Sequence, residues 1–390
     1  MPPDLTNDGD WVRANNTTLG ADNGIGMAAA MAVLAADDVA HGPLEVLITT
    51  NEEDGMSGAQ GLKEGLFKGD ILFNLDTEEE GEIYVGCAGG VRIIAESDYT
   101  PETLPEGYAA RTLSIKGLSG GHSGCDIHLY RGNAIKLMVR AIETLKPFGV
   151  RLSSLNGGTL FNAIPRESSA VVALPAAQIA AAEAALDTFA GEICNEYQLA
   201  DPELNMTWED TTAKQVLPED IQTIWVNTLH ACPNGVLRMS DVIAGVTETS
   251  ANLGVTNIAE GKIVAQVLPR SMVHSAQEDT RQTIHGLFAL AGARTSDNHG
   301  YPGWQPATNS PVQQLVQDVH HQLFNKNAVF KVIHAGLECG LLGKKYPNWD
   351  MVSFGPTIKF PHSPAEKVHI ASVGRFWQLL VASLAEVPAA

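Results

Sequence analysis

The sequence predicts an α/β protein: a mixed, mainly parallel sheet flanked by helices, with an α+β domain inserted into it. Three observations carry that prediction. Helical and strand-like segments alternate from Asp22 to about Asp76. The texture then changes to antiparallel-looking strands and long helices over residues 96–295. Helix and strand signals resume in residues 296–390. Strands that alternate with helices argue for a parallel sheet, whose ligands gather past the carboxyl ends of the strands.

The elements follow in order. Residues 26–34, rich in Ala and Met, read as a well-packed helix. Leu44–Thr50 reads as a buried strand, Ala59–Phe67 as a short helix and Ile71–Leu75 as a second buried strand. Residues 1–95 therefore form the first part of one domain. In the insertion, strands are predicted at 91–97, 109–116, 150–155 and 168–174, with helices at 133–145, 175–197, 212–230 and 276–290. Proline in the first turn supports the helix at 175–197. The segment 310–328, apolar runs at 330–333 and 351–354, and a helix at 369–387 complete the first domain.

Length and charge narrow the classes. A chain of 390 residues exceeds one ordinary core and suggests two domains. Lys and Arg total 25 against 45 for Asp and Glu, a formal charge of -20, which argues against nucleic acid or an anionic membrane as a partner. The five scattered cysteines fit a reducing compartment better than a disulfide framework. The N-terminus shows no basic region followed by an apolar core, and no apolar run is long enough to span a bilayer. The cytoplasm is the expected location.

The chemistry concentrates in a few polar segments. Asn51-Glu52-Glu53-Asp54-Gly55 follows the apolar run at 44–48. Neighbouring residues on a regular strand face opposite sides, so adjacent glutamates serve one site only where the strand ends. One carboxylate can then bind a metal while the other accepts a proton from metal-activated water; the competing reading is a solvated acidic turn. Asp22, in Leu19-Gly20-Ala21-Asp22-Asn23-Gly24, either caps the following helix or offers both oxygens to cations. Asp76 follows Ile71–Leu75 and is a ligand or a turn residue; Glu78, Glu79 and Glu80 beyond it are assigned mostly to solvent. His362 lies between Pro361 and Pro364, which suits a rigidly held ligand. His122, in Gly120-Gly121-His122-Ser123-Gly124, either approaches a substrate or occupies a turn. His41 is rejected as a ligand, because the predicted strand would hold it roughly 20 Å from the sheet's carboxyl edge.

The order of these segments resembles the aminoacyl-histidine (Xaa-His) dipeptidases, within the dinuclear-zinc family that includes carnosinases, aminoacylases and glutamate carboxypeptidases. The likeness rests on residues 19–26, 52–56, 74–83, 120–124 and 361–364, and extends through Asn162-Ala163-Ile164-Pro165-Arg166, Tyr301–Pro306 and His334–Gly340 to nearly the whole chain. It implies a zinc-exopeptidase-like fold whose inserted domain acts as a lid and dimerisation module, and hence a homodimer. It implies that Asp22 bridges two zinc ions, that Glu53 and His362 complete one metal set, and that Asp76 ligates the other ion. Glu52 would be the general base. His122 would hold the tetrahedral oxyanion, and Asn162, Arg166 and Glu338 would bind substrate. The implied substrates are dipeptides with C-terminal histidine, such as carnosine; manganese or cobalt could replace zinc.

One departure stands out. Relatives carry a His-x-Asp motif upstream of the bridging aspartate, but the 21 residues before Asp22 contain no histidine. The chain is therefore expected to be an N-terminally shortened member, with one complete metal set, half of another and poor activity. A related N-acyl amino acid deacylase or carboxypeptidase is the rival enzyme reading. An inactive, dimerising metal-binding remnant is the rival outside catalysis.

Overall fold

The computed structural model describes residues 4–53 and 55–387, so Asp54 lies outside the described residues. The chain divides into two compact units, one formed by Met1–Cys87 with Pro302–Ala390 and the other by Ala88–Tyr301.

In the first unit a four-stranded sheet runs in the order Val329–Ile333, Glu82–Cys87, Asp350–Ser353, Ile71–Asn74. The two outer pairings are parallel, and the central one is antiparallel through Ser353 and Tyr84. The sheet is thus mixed and mainly parallel. The helix Pro311–Phe324 starts where the sequence signals a start: the Ser310 hydroxyl accepts from Gln313 N at 3.2 Å, and proline follows at the first position. Asp350 ties that start to the sheet by accepting from the Ser310 hydroxyl and, at 2.9 Å, from Val312 N. A second, antiparallel sheet joins Leu5–Asp8, Trp11–Ala14, Lys367–His369 and Ile358–Lys359. It pins residues 5–14 beside the loop that carries His362.

The second unit is built on an antiparallel sheet of nine strands. Its main path is Asn205–Thr211, Tyr108–Lys116, Ser168–Pro175, Arg151–Gly157, Thr247–Ala259, Lys262–Ser271, Gly89–Asp98 and Arg294–Tyr301. The helices Ala134–Leu145, Ile179–Glu196, Glu219–Ala231 and His274–Leu290 contribute to one apolar cluster with it. In Ala134–Leu145 the buried Ile135, Met138, Ile142 and Leu145 recur at helical spacing, and the Asn133 side chain caps the start by accepting from Ile135 N and Lys136 N.

Three predicted elements need correction. Leu44–Thr50 is not a strand: Ile48 is 54% exposed, and no ladder partner is recorded for the segment among the described residues. An apolar run becomes a strand only where a neighbour takes up its backbone N–H and C=O groups. His41 is therefore not set back from the site by a strand; it is exposed, and its ring bonds the Gly42 carbonyl. The predicted helix Ala59–Phe67 is confined to Ser57–Gly61, since Gly61 and Gly65 (φ 75°) weaken continuation and Lys345 Nζ binds the end carbonyls Gln60 O and Leu62 O. The helix predicted from 212 begins at Glu219: Pro218 biases Leu217 away from helical backbone, and Gln215–Val216 pairs instead with Glu102–Thr103.

Trp225 is 1% exposed, with its ring 5.8 Å from that of Phe288 in the core of the second unit. Trp225→Ala is expected to cost about 3–5 kcal/mol, read as a large fall in the urea midpoint of that unit by near-UV circular dichroism. A midpoint within error of the parent would contradict this packing.

Candidate metal centre

Asp22 is presented by an irregular helix start. Gly20 adopts φ 73°, and Asp22 and Asn23 depart from helical angles inside the helix Ala21–Ala35. The capping role falls to Asn23, whose Oδ1 accepts from Gly26 N at 3.0 Å. Asp22 is thereby released from capping. Its Oδ2 lies 3.0 Å from His362 Nε2, and the same nitrogen lies 2.8 Å from Glu53 Oε2. Ligand atoms of Asp22, Glu53 and His362 all fall within 4.8 Å of one another. The Asp22 side chain is 12% exposed, against 50% for Glu53 and 63% for His362, so the cluster opens to solvent on one side.

Glu52 and Glu53 come from a tight turn. Asn51 has φ 59° and Met56 φ 57°, and Met56 N donates to Glu52 O at 3.1 Å. A turn, unlike a strand, lets consecutive side chains serve one place. Glu52 is half-buried, and its carboxyl is pushed up to about 7 by burial and then by Glu53, Glu338 and Asp22. Glu53 is also raised, by burial and then by Asp22.

Asp76 follows the strand Ile71–Asn74, and its N–H donates to Asn74 Oδ1 at 3.2 Å. Burial, followed by Asp22 and Glu52, pushes its carboxyl up to about 8, and it shares a hydrogen bond with Asp22. Asp22 also shares one with Glu53, so it stands between two carboxyls. Asp76 itself is outside the three-residue group. Glu338 is 7% exposed; Thr49 Oγ1 donates to its Oε2 at 2.8 Å, while Oε1 is buried without a hydrogen-bond partner among the described residues.

The acidic run after Asp76 does not lie in solvent as expected. Glu79 binds Lys359 Nζ, Glu80 binds the Arg375 guanidinium, and all three glutamates are half-buried. Glu78 is pushed up to about 7 by burial and then by Asp22. Its relation to the cluster had one signal in the sequence: it stands two residues after Asp76, a spacing that shares a face in extended chain. Around Asp22 there is therefore a group of half-buried carboxyls, opposed by His362. Burial alone would lower the His362 pKa, but Glu53 and Asp22 raise it overall. Nitrogen and carboxylate donors crowded in this way fit a divalent cation, whose charge would offset the repulsion among them.

His122, Asn162 and Arg166 belong to the second unit. His122 pairs with Ala163 in a two-stranded ladder, and its Nδ1 accepts from Gly124 N at 3.2 Å and Cys125 N at 3.0 Å. The neutral ring therefore carries its proton on Nε2. Burial and then Arg270 lower its pKa to about 4, opposed by Asp126. Asn162 supports this loop through its backbone, accepting from Ser123 N at 2.9 Å; Arg166 is exposed and donates to Leu118 O. Arg270 was not singled out in the sequence. It is 3% exposed and donates to Tyr301 Oη and Ser123 Oγ, with no carboxylate at ion-pair distance among the described residues. A lone arginine in an antiparallel strand carries no local signal of this.

The raised carboxyls set a pH dependence. Folded protein without metal holds these protons more tightly than the unfolded chain does. Their contribution to stability is full below the ordinary carboxylate range and is lost as pH rises through about 7–8, where Glu52, Glu78 and Asp76 ionise. The thermal midpoint of chelator-treated protein is expected to fall between pH 6 and pH 9, and zinc is expected to reduce that fall. A midpoint that climbs across this window without metal would contradict the arrangement.

The model of peptidase family M20/M25/M40 matches residues 6–386. The chain is 48% identical over 386 residues to the cytosol non-specific dipeptidase of Escherichia coli (strain K12), covering 98% of this chain and 79% of that protein. Among solved structures it is similar to aminoacylhistidine dipeptidase from Vibrio alginolyticus, with a TM-score of 0.95 and 45% identity over 100% of this chain and 80% of that one. Aminopeptidase PepT from Bacillus cereus ATCC 10987 shares the fold, with a TM-score of 0.51 and 16% identity over 99% of this chain and 76% of that one. No helix among the described residues is long and apolar enough to cross a membrane. The chain belongs to peptidase family M20/M25/M40, a family of metal-dependent hydrolases.

Proposed function

We propose that this protein is a zinc-dependent dipeptidase that cleaves dipeptides with C-terminal histidine, such as carnosine. The observation that carries the reading is the Asp22–Glu53–His362 cluster with the half-buried Glu52 beside it. The name of the Vibrio relative supports the histidine preference, while that of the Escherichia coli relative argues for a broader panel of C-terminal residues. The mixed imidazole and carboxylate donors favour zinc over magnesium or calcium, and manganese or cobalt suits them as well.

Asp22, Glu53 and His362 would hold one ion, and Asp22 with Asp76 a second. Three donors against two make the first site the tighter. When bound, the ions supply Lewis-acid polarisation of the scissile carbonyl and of the attacking water. Glu52 would take the water's proton on its carboxylate and return it to the leaving amine. Burial of Glu52 favours the protonated form that it must hold between the two transfers. His122 would donate its Nε2–H to the oxyanion that develops at the carbonyl oxygen; a neutral ring can do so without titrating in the working range.

Substrate recognition would use buried charged groups that have no ion-pair partner among the described residues. The buried Oε1 of Glu338 suits the free ammonium of a dipeptide, and the buried Arg270 suits a carboxylate. Asn162 and Arg166 would bind substrate as well. We further propose a lid and dimerisation role for the Ala88–Tyr301 unit, a homodimer, and a cytoplasmic location in line with the name of the Escherichia coli relative.

Purified protein should hydrolyse carnosine and other Xaa-His dipeptides in a metal-dependent way and leave N-acyl amino acids intact. Hydrolysis confined to N-acyl amino acids would replace this reading with a deacylase. Glu52→Gln should lower kcat about 10²–10⁴-fold with zinc content retained; unchanged turnover would remove Glu52 as the base. His122→Ala should lower kcat about 10²–10³-fold without shifting the pH–rate profile between pH 6 and pH 9. A lost ionisation in that range would show that His122 titrates during turnover.

A further inference from the structure

We infer that Glu366 is a positioning residue that holds Asp22 against His362 and so sets the metal affinity of the centre; this rests on the metal-centre reading above. Glu366 is 2% exposed. A buried carboxylate normally requires a cationic partner, yet no lysine or arginine is paired with it among the described residues. Its partners are four successive backbone amides. Oε2 accepts from Leu19 N at 2.7 Å and Gly20 N at 2.8 Å, and Oε1 accepts from Ala21 N at 2.9 Å and Asp22 N at 3.2 Å.

Converging amides of this kind form an anion-binding concavity, here occupied by the protein's own side chain. The left-handed Gly20 (φ 73°) lets the amides turn toward one point. The last of the four belongs to Asp22 itself, so the clamp fixes the backbone from which that carboxylate projects.

Glu366 also stands four residues after His362, in a loop closed by Glu366 N donating to Ser363 O at 3.0 Å. One side chain thus joins two ligand-bearing segments separated by 340 positions in sequence, independently of any ion. Its charge reaches the centre as well, contributing to the raised pKa of Glu53. Replacing Glu366 by glutamine would remove that charge and turn an amide NH2 toward two of the backbone N–H groups. The Asp22 turn would then relax away from His362.

The test is titration of metal-free full-length protein with Zn²⁺ against a chromophoric chelator, for the parent, Glu366→Gln and Gly20→Ala. Thermal midpoints are recorded in parallel. Gly20→Ala leaves the carboxylate in place and strains only the turn, because a Cβ there meets nothing within 4 Å. Both variants are expected to bind Zn²⁺ about 10–100-fold more weakly at the tighter site. At saturating Zn²⁺ both variants are expected to show a lower kcat than the parent with little change in KM. If Glu366→Gln fails to fold, the Gly20→Ala affinity decides alone. Parent-like affinity in the folded variants, even with lowered thermal midpoints, would overturn the inference and leave Glu366 a purely structural residue, with the metal-centre reading intact. A parent protein that binds no Zn²⁺ would overturn both.

Discussion

Several carboxyls and an imidazole meet where solvent reaches only part of them, and this mutual repulsion is the constraint on which the first unit depends. Like charges a few ångströms apart in a poorly solvated place cannot all ionise without a cation, so each pushes its neighbours' protons on more tightly. Asp22 stands at the centre, sharing hydrogen bonds with Glu53 and Asp76 and touching His362. Such a group would disperse if the chain were free to move. It persists because each contributing segment is fixed elsewhere: Asp76 by the strand before it, Glu78 by its carbonyl accepting from Ile358 N at 3.0 Å, and His362 by the small sheet that includes Lys367–His369.

Backbone conformation does much of this fixing. Gly20, Asn51, Met56 and His362 all adopt positive φ, and each lies at or beside a carboxylate or imidazole of the centre. Positive φ in non-glycine residues is uncommon and concentrates where the surroundings over-determine it. Here it turns short segments so that neighbouring side chains, which regular elements would send to opposite faces, converge. Asn23 completes the device by capping the regular helix in place of Asp22.

The second unit solves a different problem, that of holding polar groups in a defined state within an antiparallel framework. His122 is fixed as one neutral tautomer by two backbone donors, and the buried Arg270 beside it helps to keep it neutral. Arg270 is held by hydroxyls rather than carboxylates, which leaves its charge unneutralised by ion pairing. A large sheet covered by long helices suits this task, since its ladders keep the strands in register while the short Gly121–His122 segment presents the imidazole.

The sequence by itself determined the fold class, the long helices and the identities of Asp22, Glu53 and His362 as neighbours. Helical periodicity and the caps Asn133 and Ser310 are local, and the order of the polar segments marked Asp22, Glu53 and His362 as candidate ligands, which the fold brings together. Only the tertiary structure decided three other matters, each for want of a local signal. Leu44–Thr50 has the composition of a strand, but strand formation needs a partner that composition does not supply. Glu78 sits in an acidic run that reads as solvated, and its burial arises from the segment at 354–358 lying along residues 74–80. Glu366 looks like any loop glutamate until four amides from the far end of the chain are seen to close on it. Local pattern records what a residue can do; long-range packing decides which groups it meets, and burial and charge follow from that.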